Sequence, residues 1–290
     1  MVKEIAQSLL MQAGTERRRQ TWELSYGGFI IHLTWGQYSM DRVESIQHQF
    51  SANADSYRTS KYHSNAPDLD ALREAAQLKG SERVLDLGTG TGHTALAVAP
   101  GAEHVVGIDL TTQMLDQARQ LADERQITNV TFEEGDAQQL AYADDSFDMV
   151  TCRVCAHHFA DPAAAVREAA RVLRPGGCVL WVDSVAPEDP AQDTFLNSIE
   201  LLRDPSHVRD FSITQWQTMF AEAGLRLEPA GQWPIELPFD DWTDRMSTAN
   251  EARVMLRHMF DGATSAIREV FHIRTSPYAF DIPIAMLRAT

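Results

Sequence analysis

A glycine-rich loop follows an apolar run and is the first stretch whose residue types favour ligand binding. In "VLDLGTGTGHTALAVA", residues 84–99, Gly88, Gly90 and Gly92 lie between a strand-like run and a helix-like run. Glycines there let a ligand lie across the strand end and the helix N-terminus, where side chains would block it. The spacing indicates a nucleotide or nucleoside site, with a purely structural turn as the alternative.

Two carboxylates end the next two apolar runs. Asp109 ends the second predicted strand, where a carboxylate can accept hydrogen bonds from both ribose hydroxyls of an adenosine. Asp136 ends the third, where it could accept from an adenine amino group while the Ala137 N–H meets a ring nitrogen. Asp109 suits a dinucleotide equally well, but the dinucleotide fingerprint does not call for Asp136. The alternative is that each is a solvated loop carboxylate or a helix cap.

Histidines and cysteines follow the fourth apolar run in "CRVCAHHFAD", residues 152–161. Either His157 or His158 could take a proton from a substrate near neutral pH, or could simply hydrogen-bond the loop. Cys152 and Cys155 invite a zinc or redox interpretation. However, Cys152 belongs to a predicted buried strand, no second ligand pair follows, and the cysteines precede a loop instead of opening a helix. The sequence therefore predicts no metal site and no redox motif.

The elements that position these residues alternate between strand and helix from about Ser81 to Asp183. The predicted strands are "RVLDLG", "HVVGIDL", "VTFEEGD", "FDMVTCRV" and "GCVLWVDS", and the predicted helices are "HTALAVAP", "TTQMLDQARQLADERQ" and "DPAAAVREAARVLRPGG". This alternation predicts a parallel sheet with helices on both faces and right-handed crossovers. Asp161 and Pro162 predict a capped helix start, and residues 174–177 a helix end.

The flanking regions have different patterns. Residues 40–78 are helical and polar, whereas residues 1–39 contain a strand-like stretch, "WELSYGGFIIHLTWG", that does not connect to the later pattern. Beyond the alternating block, the sequence predicts a helix over 214–223, a strand over 225–237, mostly helix over 239–271 and a final strand over 279–288.

Composition limits the possible functions. The 290 residues are 44% hydrophobic, enough for one core plus a small accessory layer. With 41 acidic and 25 basic side chains, the formal charge of -16 opposes binding to nucleic acid or anionic lipid. The three cysteines suggest no disulfide framework, and no apolar run approaches the roughly 18 residues of a membrane span. We therefore expect a cytoplasmic protein with a small-molecule partner.

The motifs together resemble class I S-adenosylmethionine-dependent methyltransferases. The resemblance rests on "VLDLGTGTGHTALAVAP", "VVGIDLTTQMLDQARQ", "NVTFEEGDAQQLAYADDSFDMVTCRVCAHHF" and "AAAVREAARVLRPGG". It is nearest to the small-molecule group around the ubiquinone and menaquinone biosynthesis C-methyltransferases, especially bacterial members of unassigned substrate. It runs from about residue 40 to the C-terminus and does not cover residues 1–39.

The resemblance implies an α/β, Rossmann-like sheet of seven strands, mostly parallel with an antiparallel last strand, and a helical cap. It implies S-adenosylmethionine as cofactor. The amino acid part would face Asp86 and Gly88, the ribose Asp109, and the adenine Met114, Asp136 and Ala137, while Arg153 would sit beside the sulfonium. The implied cofactor set is Tyr57, Asp86, Gly88, Gly90, Gly92, Asp109, Leu110, Met114, Asp136, Ala137 and Arg153.

The expected domain organisation is an N-terminal extension over 1–39, a helical lid over 40–80 and a methyltransferase domain over 81–290. Cap insertions are expected at about 187–212 and 235–273. In "LLRDPSHVRDFS", Arg203, His207 and Arg209 could bind an acidic acceptor, or Arg203 and Asp204 could be a surface ion pair of little energetic value. Trp242, Met246, Met255 and Met259 predict a hydrophobic cap or a homodimer surface.

Three functional hypotheses follow. The favoured one is methyl transfer from S-adenosylmethionine to a small-molecule acceptor, with His157 or His158 as a candidate base. The second keeps the cofactor but not the transfer, as in a cyclase. The third is an NAD(P)-dependent oxidoreductase, disfavoured by "GDAQQL" and by the absence of the third fingerprint glycine after Gly92.

Overall fold

The structure is a computed structural model that describes residues 20–26, 29–35, 46, 47, 49–51, 54, 57, 58 and 67–290. The chain divides into two units, Met1–Glu44 and Ser45–Thr290. In the first unit, strands β1 (Gln20–Tyr26) and β2 (Phe29–Trp35) pair antiparallel, with Tyr26 opposite Phe29. The strand-like composition noted in this region thus corresponds to a hairpin. The first 20 residues have a sequence that could also form a helix, but all of them except Gln20 lie outside the described part.

The second unit is built on one mixed sheet. Its strands are β3 (Arg83–Leu87), β4 (His104–Asp109), β5 (Val130–Glu134), β6 (Phe147–Arg153), β7 (Leu173–Ser184), β8 (Leu227–Pro238), β9 (Arg274–Thr275) and β10 (Tyr278–Ala289). The order is β5-β4-β3-β6-β7-β10-β8, with β3 to β7 parallel and β10 antiparallel to both β7 and β8. The predicted Rossmann-like sheet is confirmed. The two-residue β9 pairs with β10 and makes the sheet eight-stranded instead of seven-stranded.

Helices cover both faces of the sheet. They are α1 (Pro67–Ala76), α2 (His93–Val98), α3 (Thr112–Glu124), α4 (Pro162–Val172), α5 (Pro190–Arg203), α6 (Ile213–Glu222), α7 (Phe239–Arg245), α8 (Asn250–Asp261) and α9 (Ser265–Val270). Successive residues of a strand point to opposite faces, so Val84 and Leu85 belong to different apolar clusters. β3 and β6 are buried at nearly every position, as expected for central strands that are covered on both faces.

Capping residues set several helix starts. Asp161 accepts a hydrogen bond from the Ala164 N–H at 2.9 Å and Pro162 takes the first turn, as predicted. Asp189 caps α5 in the same way ahead of Pro190, and Ser212 forms a reciprocal capping box with Gln215 at the start of α6. Helix α4 ends at Val172, so residues 174–177 belong to β7 and not to the last helical turn.

A buried ion pair links α1 to the end of β6. The Nε of Arg153 donates to Oδ2 of Asp68, and the two residues are 7% and 0% exposed. Charges removed from water in this way are stable only when paired, because desolvation costs several kcal/mol per ion. The pair therefore fixes the N-terminal helix against the strand end from which the polar segment 153–158 continues.

We expect Arg153→Met to lower the free energy of unfolding by about 3 to 5 kcal/mol, because it leaves the Asp68 carboxylate buried without its cation. Denaturant titration measures this. The matched control is Arg73→Met, which breaks the exposed Arg73–Asp70 pair on α1. That pair is screened by solvent, so we expect a change of about 0.5 kcal/mol or less. Similar small losses in both variants would contradict the structural role of the buried pair.

Candidate active site

The glycine loop joins β3 to α2 and is held by the neighbouring strand. The Gly90 N–H donates to Oδ2 of Asp109 at 2.8 Å, and a side chain added at Gly90 would meet no atom within 4 Å. Gly92 is different: a Cβ there would lie 2.9 Å from atoms of Ala118 and Phe132. Gly92 therefore allows α2 to pack closely on α3 and β5, and it does not line the cavity that the loop borders.

Asp86 lies beneath this loop. Its carboxylate is 1% exposed and accepts hydrogen bonds from the hydroxyls of Thr89 at 2.6 Å and Thr151 at 2.7 Å. Burial raises the pKa of Asp86 to about 6. The structure thus places Asp86 as a tie between β3, the loop and β6, outside the cavity wall where the sequence analysis expected it.

The Asp109 carboxylate binds backbone groups of the loop and also borders the cavity. Its Oδ1 accepts from the Thr111 N–H at 2.9 Å, at the start of α3, while Oδ2 accepts from Gly90. Burial raises the pKa of Asp109. Each carboxylate oxygen has a second lone pair, and the residue lines the cavity. Asp109 can therefore organise the loop and accept hydrogen bonds from a ligand at the same time.

An open cavity of about 890 Å³, counting its mouth, lies at the carboxyl ends of the parallel strands. Most of the predicted site residues line it, namely Tyr57, Gly88, Gly90, Asp109, Leu110, Met114, Asp136, Ala137, Arg153 and His158. The sequence analysis missed Ile46, Phe50, Thr89, Thr91, His93, Thr94, Gly135, Gln138, Val154, Cys155 and Phe159, which also line it. The cavity thus combines carboxylates at two adjacent strand ends with the apolar side chains of Leu110 and Met114.

Side chains from residues 46–58 bridge the two sides of this cavity. Gln47 donates to the Leu110 carbonyl at 2.7 Å and Arg58 forms an ion pair with Glu124, both on the α3 side. Gln49 donates to the Met246 carbonyl at 3.0 Å, and the Tyr57 hydroxyl lies 3.1 Å from the Met246 sulfur, just after α7. Burial raises the pKa of Tyr57 to about 12. These side chains therefore connect the start and end of α3 with the residue that follows α7.

A second, smaller cavity of about 510 Å³ adjoins the first, and the two share Tyr57, Val154 and His158. Its other lining residues come from the segment after β6, from β7, α5 and α7, and from the two antiparallel strands β8 and β10: His157, Ser184, Glu200, Arg203, Leu237, Trp242, Arg245 and Ile282. These three shared residues therefore lie at the boundary between the two cavities.

His157 is held by a buried carboxylate. Its Nδ1 lies 2.7 Å from Oδ1 of Asp183, and its main-chain N–H donates to Oδ2 of the same residue at 3.1 Å. Burial alone would lower the pKa of His157, but Asp183, with Asp210 and Glu200 further off, raises it to about 9. The Nδ1–H donates to Asp183, so Nε2 is the ring atom left for the second cavity, which His157 lines.

His158 and His207 have the opposite electrostatic environment. Burial, assisted by the charge on His157, lowers the pKa of His158 to about 3 and that of His207 to about 4. The ring of His158 contacts the main chain and hydroxyl of Ser206, whose hydroxyl donates to Asp204 at 2.6 Å. His158 is thus a neutral side chain between the two cavities.

The three residues expected to bind an acidic acceptor are not brought together. Arg203 lines the second cavity, but it pairs with Glu200 at 3.2 Å and its guanidinium lies over the Trp242 ring. Arg209 is bound to Asp193 at 2.6 Å, and His207 contacts Asn197 at 3.3 Å; neither lines a described cavity. Asp204 is 2% exposed, so the Arg203–Asp204 surface pair is also absent.

The expected hydrophobic cap is partly confirmed. Trp242 and Met246 are 1% and 2% exposed, whereas Met255 is 53% exposed.

Among the described residues, no group of three or more His, Cys, Asp or Glu side chains could hold a metal ion. Of the helices described above, none has the length and apolar character that crossing a membrane requires.

We expect one histidine signal, that of His157, to titrate near pH 9 by NMR. The pKa of His157 is about 9 in the folded protein and 6.5 when unfolded, so the folded state binds the proton more tightly. This stabilises the fold fully below pH 6.5, and the stabilisation is lost as pH rises through 9. In Asp183→Asn, we expect the pKa of His157 to fall, and the free energy of unfolding should no longer decrease between pH 6.5 and 9. The control Asp281→Asn, which removes the carboxylate beside the 61% exposed His272, should preserve both. A His157 that titrates near 6.5 in the parent protein would contradict this.

Comparisons with known proteins agree with this geometry. A family model described as a methyltransferase domain matches residues 78–224. The uncharacterized methyltransferase YcgJ of Bacillus subtilis is 42% identical over 225 residues, which cover 77% of this chain and 88% of YcgJ. A demethylmenaquinone methyltransferase of Deinococcus radiodurans is 39% identical over 154 residues, covering 51% of this chain and 63% of that protein.

The crystal structure of the Bacillus subtilis YcgJ protein matches with a TM-score of 0.74 at 37% identity, covering 76% of this chain and 96% of that one. These matches overturn the oxidoreductase alternative. The cavity residues fit the donor that the family uses, because two strand-end carboxylates and the open side of Gly90 border one cavity. The chain belongs to the methyltransferase domain family and is an enzyme that transfers a methyl group from S-adenosylmethionine to a small-molecule acceptor.

Proposed function

We propose that the larger cavity binds S-adenosylmethionine and that the smaller cavity binds the acceptor. The observation that carries this proposal is the position of Asp109 and Asp136 at adjacent strand ends, both lining the larger cavity. In this proposal Asp109 holds the ribose, and Asp136 with the Ala137 N–H holds the adenine edge. Asp136 is already oriented, since its Oδ1 accepts from the main-chain and side-chain amides of Gln138 at 2.8 and 3.0 Å.

The donor supplies a methyl group already activated on a positive sulfur. The protein therefore has to orient the two substrates and exclude water, and no metal is required. Tyr57, which lines both cavities, would present its ring near the cationic centre, a contact worth roughly 0.5 to 2 kcal/mol. Arg153 lines the donor cavity, but its Nε is committed to Asp68, so we assign it to holding the wall.

Between the two histidines, we assign proton transfer to His157. Its Nδ1–H is fixed by Asp183, which leaves Nε2 to take a proton from an acceptor in the second cavity. His158, whose low pKa makes it a weak base, is assigned to the wall between donor and acceptor. Asp183 acts as a positioning residue, because it fixes both the ring and the main chain of His157.

We further propose that residues 40–80 form a lid, with residues 1–39 as an extension that is not needed for donor binding. The support is the set of hydrogen bonds from Gln47, Gln49, Tyr57 and Arg58 to both sides of the donor cavity. A cytoplasmic location stays a proposal from composition, as does a homodimer through the cap.

Asp109→Ala should weaken S-adenosylhomocysteine binding at least tenfold, because it removes charge-assisted hydrogen bonds worth about 1.5 to 3 kcal/mol each. Calorimetry in the presence of a chelator measures this. The structure adds a second effect that the sequence analysis did not anticipate: the Gly90 and Thr111 N–H groups lose their acceptor, so the ligand-free protein should also lose stability.

The control for this experiment is Glu134→Ala, which removes an exposed carboxylate from the neighbouring strand end without touching the cavity. Asp109→Asn should fall between parent and Asp109→Ala, since its amide oxygen can still accept one bond. Unchanged affinity in Asp109→Ala would place the ribose elsewhere. Loss of stability without loss of affinity would assign Asp109 to the loop alone.

Label transfer from methyl-labelled donor into a metabolite extract tests the acceptor side. In the parent protein the rate should rise with pH up to about 9, because His157 must lose its proton before it can act as a base. Asp183→Asn should move this rise to lower pH, and His157→Gln should lower the rate by about 10²-fold and remove the pH dependence. The control His104→Gln should match the parent.

Donor affinity should stay within about threefold of the parent in His157→Gln, since His157 lies outside the donor cavity. An unchanged rate in that variant would contradict its role as base. Donor binding without any labelled product would contradict the proposed acceptor side.

A further inference from the structure

Two thiols that the proposed mechanism does not use are in contact at the end of β6. The Sγ atoms of Cys152 and Cys155 lie 3.3 Å apart, with one thiol hydrogen-bonded to the other. Val154 between them has a φ of +52°, and this left-handed residue turns the chain back so that the two sulfurs meet. A disulfide requires a separation of about 2.05 Å, so closing the pair needs a movement on the order of 1 Å.

The two thiols differ in access. Cys152 is fully buried, whereas Cys155 is half-buried and lines the donor cavity. A small oxidant entering that cavity would therefore meet Cys155, and Cys152 is placed to attack the product. The third cysteine, Cys178, belongs to the apolar cluster on the opposite face of the sheet and is not positioned to compete.

Cys155 also supports the donor loop. Its thiol donates to the Leu87 carbonyl at 3.3 Å, and a Cβ added at Gly88 would lie only 2.5 Å from its sulfur. The sulfur thus occupies the space that the missing side chain of Gly88 leaves. Drawing the sulfur toward Cys152 breaks the bond to Leu87 and removes the packing beneath Gly88, which borders the donor cavity.

We propose that Cys152 and Cys155 are an oxidisable pair that hydroperoxides close to a disulfide, and that closure weakens donor binding. The sulfur of Cys155 attacks the peroxide, the O–O bond breaks, and a sulfenic acid and water form. The sulfur of Cys152 then attacks the Cys155 sulfur, the S–O bond breaks, and a second water leaves. Two thiols are oxidised, one hydrogen peroxide is reduced, and both thiol protons end in water. The effect on the donor rests on the donor site proposed above.

The electrostatic environment of the two thiols makes their oxidation slow at neutral pH. Burial raises the pKa of Cys152 well above its ordinary value. The hydrogen bond with Cys152 lowers the pKa of Cys155, but burial and the carboxylates of Asp183, Asp86 and Asp109 together raise it by more. Because the thiolate is the reacting form, oxidation should be faster at mildly alkaline pH than at neutral pH. This distinguishes the pair from the low-pKa redox motif that the sequence analysis disfavoured.

The test uses the full chain, treated with hydrogen peroxide in its folded state, then unfolded in denaturant, alkylated and examined by intact mass and peptide mapping. We expect the number of alkylated cysteines to fall from three to one, with Cys178 the one modified, and the chain to lose the mass of two hydrogen atoms. Added S-adenosylhomocysteine should slow the reaction several-fold, because it covers Cys155. Calorimetry should show donor affinity at least about threefold weaker after oxidation and restored by a thiol reductant.

Cys178→Ala should behave as the parent, whereas Cys152→Ala and Cys155→Ala should form no intramolecular disulfide. Three alkylated cysteines in peroxide-treated native protein would overturn the proposal, as would a disulfide that leaves donor affinity unchanged. If the reduced protein does not bind S-adenosylhomocysteine at all, the donor assignment fails, while the thiol count still decides on its own whether the pair closes. If a cysteine variant does not fold, the slower oxidation of the parent protein in the presence of S-adenosylhomocysteine still tests the proposal.

Discussion

The proposed donor site depends on the Asp109 carboxylate, which accepts hydrogen bonds from two backbone N–H groups. Residues 88–92 belong to no strand or helix, so their backbone groups need partners elsewhere. Thr89 donates to the Ile108 carbonyl at 2.8 Å and Gly90 to Asp109, both from the neighbouring strand β4. Asp86 holds the loop from below through Thr89 and Thr151. A loop fixed before the ligand arrives loses little entropy on binding.

The proposed acceptor side depends on a different constraint, the distribution of one positive charge among three neighbouring histidines. The ring centroids of His157 and His158 are 4.2 Å apart, and those of His157 and His207 are 5.6 Å apart. Like charges so close disfavour each other, and only His157 has a carboxylate against its ring nitrogen. It therefore keeps the proton, while the pKa values of His158 and His207 are lowered to about 3 and about 4. This separation of pKa values makes the three rings chemically distinct.

Sequence reasoning predicted the sheet and most of the residues that line the larger cavity, because both follow from local signals. Strand ends can be read from apolar runs, and Gly90, Asp109 and Asp136 each sit at such an end. It failed where long-range contacts decide. Gly92 looks like a ligand-facing glycine, but its space is filled by Ala118 and Phe132 from α3 and β5. Likewise, the role of Asp183 could not be predicted, since its partner His157 lies in the loop after the preceding strand.

The sequence also contains a helix-start signal that the sequence analysis did not use. Asp189 followed by Pro190 is the same helix-start pattern as Asp161 followed by Pro162, and it begins α5, which the sequence analysis described only as an insertion. That helix supplies Glu200 and Arg203 to the second cavity. The proximity of the Cys152 and Cys155 sulfurs was not readable in this way, because it depends on the left-handed conformation of Val154, a β-branched residue in which such backbone is rare.

The short segment after β6 couples the two cavities physically. Val154 and His158 line both, Cys155 packs under the donor loop, and His157 faces the acceptor side only. Substitutions within this segment share partners, so their effects on the two substrates should not be additive. Glu200 and Trp242, by contrast, line the second cavity alone and come from α5 and α7, outside the Rossmann-like core. If the cavities are assigned as proposed, substitutions on these two helices change acceptor selectivity, while the glycine loop, held by Asp86 and Asp109, stays as it is.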